Sequence, residues 1–319
     1  MSALKADGPG SLPGQVRGFL GGLPERGSRR ISRMLRAAAD RLAGEPPPAE
    51  APPTCLGAPP AAATETLQAA RARWADQLWD DGFLLPGGVA EIRRLSGLLP
   101  LSPATTLLLV GRDAGGAAAA LVAQRGTWVA AHQHDAWLAE RSVARLRPVG
   151  RRVGVLPWTP DAPAFRAGYH HHAMALEPLG TGASLPALLP AIAAGLKPDA
   201  QLVLLEVVLA DGAAGGAALD RWLMLEGRPA RPPGRPAMEA ALQAAGFQLH
   251  VTEDTGPRHC AAVMEGWSRL LGGLRHEGKG RTRAGAAALV AEAEMWLLRH
   301  RLITTGTIGL LRWHATLRR

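Results

Sequence analysis

The stretch TTLLLVGRDAGG at residues 105–116 decides the fold, and an alanine-rich run follows it directly. Residues 107–110 form a short apolar run bounded by turn-forming residues, which is typical of a strand buried on both faces. Gly111, Gly115 and Gly116 can adopt positive φ and allow a ligand or a second backbone to approach closely. The stretch therefore predicts a strand, a glycine turn and a helix, the unit at which open α/β sheets bind nucleotide-like ligands.

The composition excludes several classes of protein. The chain has 319 residues, enough for a large core, and its two cysteines are too few for a disulfide framework or a thiolate metal site. The formal net charge is +9, but the arginines are scattered and form no basic stripe of the kind that nucleic-acid binding needs. No uninterrupted apolar segment resembles a signal peptide or a membrane span. We therefore expect a cytoplasmic protein with no nucleic-acid partner and no integral membrane association.

Residues 1–65 are rich in proline, alanine and arginine, and we predict that they form a disordered extension outside the fold. Within it, residues 28–42 place apolar side chains at helical spacing with arginines on the other side. Such a basic amphipathic helix could contact a protein partner or an acidic membrane surface, and a transient helix in a solvated tail is the alternative. Any protein partner is expected to contact this extension.

The rest of the chain predicts alternating helices and strands. Thr64 is the expected cap of a helix that runs to residue 79, and a turn and a second helix complete a helical lid over residues 66–100. Strands are predicted at 107–110, 127–131, 151–156, 169–176, 201–209, 247–252 and 304–311, with helices at 136–146, 185–195, 219–225, 236–245, 261–274 and 284–302. This alternation predicts a doubly wound α/β sheet, with an antiparallel addition from the last two strands.

Five stretches occur in the order found in class I S-adenosylmethionine (SAM)-dependent methyltransferases, and one of them, residues 129–139, lies where that family has its second strand and the following helix. LLVGRDAGG at 108–116 resembles the family's glycine-rich first motif, and LKPDAQL at 196–202 is similar to its leucine-lysine-proline-glycine-glycine turn. AAGF at 244–247 resembles its alanine-glycine-phenylalanine step. WDDGFLLPGG at 79–88 looks like the lid segment of small-molecule methyltransferases that act on amines or lipid precursors. No single motif is specific, whereas their order and spacing are.

The resemblance covers about residues 66–319 and implies both a fold and a cofactor. The implied fold of residues 101–319 is a Rossmann-like, doubly wound and mostly parallel seven-stranded sheet with an antiparallel edge strand and helices on both faces. The implied cofactor is SAM, and the implied acceptor is a small molecule. The positions that match the family's cofactor-binding residues are Gly111, Asp113, Gly115, Gly116 and Gln133, with His132 in place of Gln133 if the register of the second strand slips by one.

The chain departs from the family's pattern at four positions: Leu109 and Gln133 replace acids, Asp113 replaces a loop glycine, and His170 replaces an aspartate before the fourth strand. Two hypotheses follow. In the first, the chain is a SAM-dependent methyltransferase in which Asp113 or Asp135 contacts SAM from a shifted position. In the second, it is a catalytically inactive methyltransferase-like scaffold or binding protein that has lost SAM binding.

Direct SN2 methyl transfer needs alignment and exclusion of water rather than a covalent nucleophile. A base is needed only for a protonated acceptor, and His170 and His134 are the candidate catalytic residues, with His132 as a further alternative. Glu206 lies at the carboxyl end of an apolar strand and Glu177 follows one. Both are candidates for binding a cationic substrate, and a solvated strand end is the alternative for Glu206.

Other chemistries lack their signatures. His170 and His172 share one face of a strand, but two ligands do not make a site, so no metal is expected. Residues 111–116 do not fit the GxGxxG pattern of a Rossmann dehydrogenase. The sequence contains no GxSxG motif, so it does not indicate a serine hydrolase.

Overall fold

The computed structural model describes residues 66–213, 215–274 and 283–318. The predicted disordered extension, its amphipathic helix and the capping role of Thr64 all lie outside these residues. In the described part, helix α1 spans Leu67–Trp79, and its N-cap is Thr66, whose side-chain oxygen accepts a hydrogen bond from the backbone N–H of Ala69 at 3.2 Å. The cap satisfies one of the free amides of the first turn.

The helices alternate with the strands of a single sheet. After α1, the helices are α2 (Gly88–Ser96), α3 (Gly116–Arg125), α4 (Ala136–Leu146), α5 (Leu185–Gly195), α6 (Ala217–Glu226), α7 (Arg235–Ala244), α8 (Gly256–Leu274) and α9 (Arg283–Thr304). The strands are β1 (Thr106–Gly111), β2 (Trp128–Gln133), β3 (Val153–Pro157), β4 (His170–Leu176), β5 (Leu196–Leu209), β6 (Phe247–Asp254) and β7 (Ile308–Leu317).

The sheet of the described residues has seven strands in the order β3-β2-β1-β4-β5-β7-β6. The first five are parallel, and β7 runs antiparallel to both β5 and β6. The predicted fold class is therefore confirmed. The antiparallel strand lies one place in from the edge, and β6 is outermost, because α8 and α9 carry the chain from β6 back into the space beside β5.

Two strands begin four or more residues from their predicted starts. The last strand begins at Ile308 rather than at residue 304, because α9 continues to Thr304. The fifth strand begins at Leu196, and the predicted turn at 197–200 lies within it as an irregularity of the pairing with β4, where His170 faces Leu196 but His172 faces Gln201.

Hydrophobic clusters cover the two faces of the sheet. One packs α1, α3, α6, α8 and α9 against the sheet and contains most of the buried tryptophans; the other packs α5 and α7. Helix α1 belongs to the first cluster, since Trp74 and Leu78 are fully buried. The turn at residues 80–88 extends from α1 over the carboxyl ends of the central parallel strands, where this architecture places its ligand cleft.

Candidate functional site

Gly111 ends β1 at a point where only glycine fits. Its φ is +115°, and an added Cβ would lie 2.1 Å from the carbonyl oxygen of Leu176 at the end of β4. The next amide, that of Arg112, donates to the same oxygen at 2.7 Å. Gly111 therefore lets the ends of β1 and β4 lie close together at the point where the glycine loop begins.

The glycine loop, residues 111–116, contacts the turn at residues 80–88, which we call the lid turn. Gly115 caps α3 with φ +101°, and an added Cβ on Gly116 would lie 2.7 Å from the backbone of Gly82 and from the ring of Phe83. The carbonyl oxygen of Gly82 accepts hydrogen bonds from Ala114 N–H at 3.0 Å and Gly116 N–H at 3.1 Å. Amides at a helix N-terminus favour an anionic group, and here the lid turn covers them.

Asp113 caps the same helix from inside the loop. One carboxylate oxygen, Oδ1, accepts from Ala117 N–H at 2.9 Å, whereas the buried Oδ2 has no hydrogen-bond partner. Burial raises the pKa of Asp113, and the amides at the start of α3 oppose that rise. An unpaired buried carboxylate oxygen is costly, which makes this atom the one most in need of a cationic or hydrogen-donating partner.

Gln133, rather than His132, faces the glycine loop at the end of β2. Its Nε2 donates to the carbonyl oxygen of Asp113 at 2.7 Å, and its Oε1 is buried without a partner. His132 points to the other side of the sheet, where its ring meets Phe165 edge-on at a centroid distance of 4.8 Å. The register that the sequence left open is thus resolved by alternation along the strand.

A cavity of about 40 Å³ lies beneath the lid turn, at the ends of β1, β4 and β5. Its walls include Phe83, Glu91, Asp113, Glu177, Arg258 and His259. Sites for small organic ligands have volumes of about 300–1,000 Å³. The cleft is therefore closed in this arrangement, and a nucleotide-sized ligand can enter only if the lid turn moves.

Glu177 and Glu206 lie inside a buried network of charges. Arg228 donates to Glu177 at 2.8 Å and to Glu206 at 3.1 Å, and Arg299 forms two contacts with Glu177. Glu206 lies in the interior of β5, three residues before its end, and is fully buried. The long apolar run did not reveal this position, because a strand buried on both faces shows no alternation.

Apart from Arg112, which lies in the glycine-rich motif, the partners of these carboxylates came from parts of the sequence that carried no motif. Glu226, at the end of α6, is bound by Arg228 at 2.5 Å and by Arg299 and Arg112 at 2.7 Å each. Three carboxylates therefore face three guanidinium groups. The signal available in the sequence was weak: a single arginine, Arg299, within the buried face of a long helix.

The network sets the pKa values of its members. Burial raises the pKa of Glu177, but attraction to Arg299 and Arg228 outweighs it and holds the pKa below its usual value. The pKa of Glu226 is lowered in the same way, by Arg228, Arg112 and Arg299. Glu206 differs: burial raises its pKa, and Arg228 opposes the rise only in part.

Neither candidate base borders the cavity. His170 is the first residue of β4, at the opposite end from the cleft, and burial lowers its pKa to about 4. His134 follows β2, is exposed and contacts Trp158 edge-on. Their catalytic roles remain predictions. The histidine that does line the cavity is His259, whose Nε2 has no partner and whose pKa burial lowers to about 3.

Arg258 closes the cavity from the side of α8. Its Nε donates to Glu91 on α2 at 3.0 Å, and its Nη1 donates to Glu253 on β6 at 3.1 Å. Within the described ranges, no cluster of three or more histidine, cysteine, aspartate or glutamate residues could hold a metal ion. The described helices include none that is long and apolar enough to cross a membrane.

Comparison with known proteins gives the fold a family context. No protein-family profile matches the sequence, and no curated protein matches it. The structure is similar to phosphoethanolamine N-methyltransferase 2 of Haemonchus contortus in complex with phosphomonomethylethanolamine and S-adenosylhomocysteine (TM-score 0.70, 14% identity, 80% of this chain). This chain spans only 58% of the length of that protein.

Two further solved structures are similar over most of this chain. Geranyl diphosphate C-methyltransferase from Streptomyces coelicolor A3(2), in a complex that contains S-adenosyl-L-homocysteine, has a TM-score of 0.57 at 16% identity and covers 71% of this chain and 75% of its own. The [4+2]-cyclase SpnF has a TM-score of 0.58 at 16% identity and covers 78% of this chain and 93% of its own. The chain has the fold of the class I SAM-dependent small-molecule methyltransferases.

Proposed function

We propose that this chain is a SAM-dependent methyltransferase acting on a small molecule, with a cleft that opens at the lid turn of residues 80–88. The observation that carries the proposal is Asp113, which lines the cavity and whose buried Oδ2 has no hydrogen-bond partner. SAM presents a sulfonium and an ammonium group, and a buried carboxylate stabilises either one. The solved neighbours that contain S-adenosylhomocysteine support the same cofactor.

The chain's own polar groups fit the remaining parts of SAM. Gln133 Oε1 is a free acceptor for one ribose hydroxyl, in place of the acid that the family uses. Once Gly82 withdraws, the amides of Ala114 and Gly116 become donors for the carboxylate of the methionine part. SAM, when bound, supplies an electrophilic methyl group; the residues named here hold and orient it.

Lid opening exposes the buried ring of Phe83 but breaks few strong polar contacts. Arg145 on α4 binds Asp81 at 2.7 Å and Asp76 at 3.1 Å, but the Asp81 side chain is 75% exposed, and ion pairs of that kind contribute only about 0–1 kcal/mol. The opening also breaks the two hydrogen bonds that the Gly82 carbonyl oxygen accepts from Ala114 and Gly116, and the one that Gly82 N–H donates to Asp76 at 2.9 Å. The amides of Ala114 and Gly116 would then bind the ligand. Helix α1 stays in place because its apolar face is part of the core.

We place the methyl acceptor beside His259 and Arg258. Closing the lid turn over it would exclude water, which is the main requirement of the reaction. His259 is neutral at pH 7 because its pKa is about 3, so it can accept a hydrogen bond from an acceptor hydroxyl or amine. His134, His170 and Glu206 remain proposals for contact with substrate that would need a larger rearrangement. Glu177 remains one too; it already lines the cavity, where Arg228 and Arg299 bind its carboxylate.

A non-catalytic scaffold is the second candidate, and the closed cleft favours it. Here Asp113 and the Gly82 carbonyl would replace SAM permanently at the loop amides. Titration calorimetry with SAM and S-adenosylhomocysteine separates the two candidates. Heat of binding that is lost in Asp113→Asn and kept in the surface control Asp220→Asn supports the enzyme. No heat and no thermal shift at millimolar ligand would reject it and leave the scaffold.

A further inference from the structure

On one face of the sheet, strands β2 and β3 are not covered by a helix. Helices α3 and α4 pack against β2 and β3 on one side, but on the other side the connection from β3 to β4, residues 158–169, contains no helix. As a result Gly154 and Leu156 on β3 and Trp128 on β2 are exposed. A groove of about 250 Å³ lies on this surface. Parallel sheets are normally covered on both faces.

The floor of this groove holds two histidines without partners. His132 is 6% exposed and His170 is 2% exposed, and neither ring forms a hydrogen bond through Nδ1 or Nε2. Burial keeps both imidazoles neutral at pH 7, with pKa values of about 4. Each ring therefore offers one donor and one acceptor that the described protein leaves unused. Unsatisfied buried polar groups are rare and call for an explanation.

The rim of the groove is cationic and aromatic. Arg166 lies over the ring of Tyr169 at 3.9 Å, and Arg152 lies over the ring of Trp128 at 5.1 Å. Arg151 is exposed beside them, and no acidic residue is among those described as lining the groove. Arg151 and Arg166 form no ion pair within the described ranges, so their charges are available to a ligand.

We propose that this surface, the His132–His170 groove, binds a small organic anion that carries an aromatic ring, as a carboxylate or a phosphate. The arginines would bind the anionic group, the ring would lie along Trp128 and Tyr169, and a polar substituent would reach the imidazoles. The volume is slightly below the usual range of about 300–1,000 Å³ and so suits a small ligand. The groove is separate from the cleft under the lid turn.

Titration calorimetry with phenyl phosphate, benzoate and inorganic phosphate tests the proposal. We expect phenyl phosphate or benzoate to bind at least tenfold more tightly than inorganic phosphate. Arg166→Ala should weaken that binding at least tenfold, and Arg235→Ala, an exposed arginine on α7, should leave it unchanged. Both arginines are on the surface, so equal melting temperatures would verify that the variants fold.

A second readout comes from the histidine rings. Their ¹⁵N resonances should shift when 4-hydroxybenzoate is added, because its hydroxyl supplies the polar substituent that reaches the imidazoles, and the shift should saturate at the calorimetric affinity of that compound. Equal affinity for inorganic phosphate, or equal loss in the Arg235 variant, would show diffuse charge attraction and overturn the proposal. Absence of heat with all three anions would overturn it as well. None of these outcomes depends on whether the chain binds SAM.

Discussion

Replacing Arg299 by methionine tests whether the buried charge network holds the sheet and helices together. Arg299 is fully buried and contacts Glu177 and Glu226, so its loss leaves two carboxylates facing fewer positive charges. Breaking a buried ion pair by removing one partner costs about 3–5 kcal/mol. Methionine fills a similar apolar volume, so a cavity contributes little to this figure.

Urea unfolding followed by circular dichroism gives the free energy, with Arg221→Met as the matched control. Arg221 pairs with Glu294 across the same two helices, α6 and α9, but its side chain is 40% exposed. An exposed pair contributes about 0–1 kcal/mol. At about 2–4 °C per kcal/mol for a domain of this size, Arg299→Met should lower the melting temperature by about 6–20 °C and the control by less than about 4 °C.

The double variant Arg299→Met with Glu177→Gln sharpens the test. If an uncompensated carboxylate causes the loss, removing the charge of Glu177 should recover part of it, because the remaining charges are then closer to balance. Equal losses in Arg299→Met and Arg221→Met would refute the network as a source of stability. So would a double variant whose cost is the full sum of the two single substitutions.

Three further changes have defined outcomes. Gly111→Ala should lower the unfolding free energy by at least about 2 kcal/mol in urea, because its Cβ would lie 2.1 Å from the Leu176 carbonyl oxygen. The free energy of unfolding should fall as the pH drops from about 6.5 toward 4, because His132 and His170 have folded pKa values of about 4 and the unfolded chain binds more protons in that window. Each ring contributes a slope of up to about 1.4 kcal/mol per pH unit. His132→Gln should therefore reduce the slope by the contribution of one ring. Gln133→Glu should cost about 1–3 kcal/mol in urea, since it removes a buried donor and places a carboxylate against a carbonyl oxygen.

The backbone around the glycine loop could be predicted because local sequence determines it. Four apolar residues predict a buried strand, Gly111 and Gly115 mark the positions with positive φ, and small side chains mark the helix that follows. The same reasoning predicted the remaining strands and helices, with errors at their ends such as the start of β7. Ends depend on packing between distant segments, which a local pattern does not contain.

The chemistry of the cleft could not be predicted in the same way. Glu177 directly follows β4, Glu226 ends α6 and Arg299 lies on α9, so their pairing depends on long-range packing. An isolated glutamate after an apolar strand has the same local pattern whether it binds a substrate or an internal arginine. The contact of Gly82 with the loop amides was also hidden, since it is made by backbone atoms, which carry no sequence signal.

Asp113 and Gln133, which both differ from the family's pattern, contact each other. The effect of either residue on the loop therefore depends on the other. The side-chain amide of Gln133 donates to the backbone carbonyl of Asp113, while the carboxylate of Asp113 caps α3 through Ala117 N–H. A glutamate at 133 would repel that carbonyl, so restoring the family's acid alone should destabilise the loop. Asp113→Gly should let the loop turn its carbonyl oxygen away from a glutamate at 133. The double variant with Gln133→Glu should then lose less unfolding free energy than the two single variants lose together, and a double-mutant cycle of urea unfolding measures the difference. A coupling of zero would show that the two substitutions act independently, and the loop could then be analysed one residue at a time.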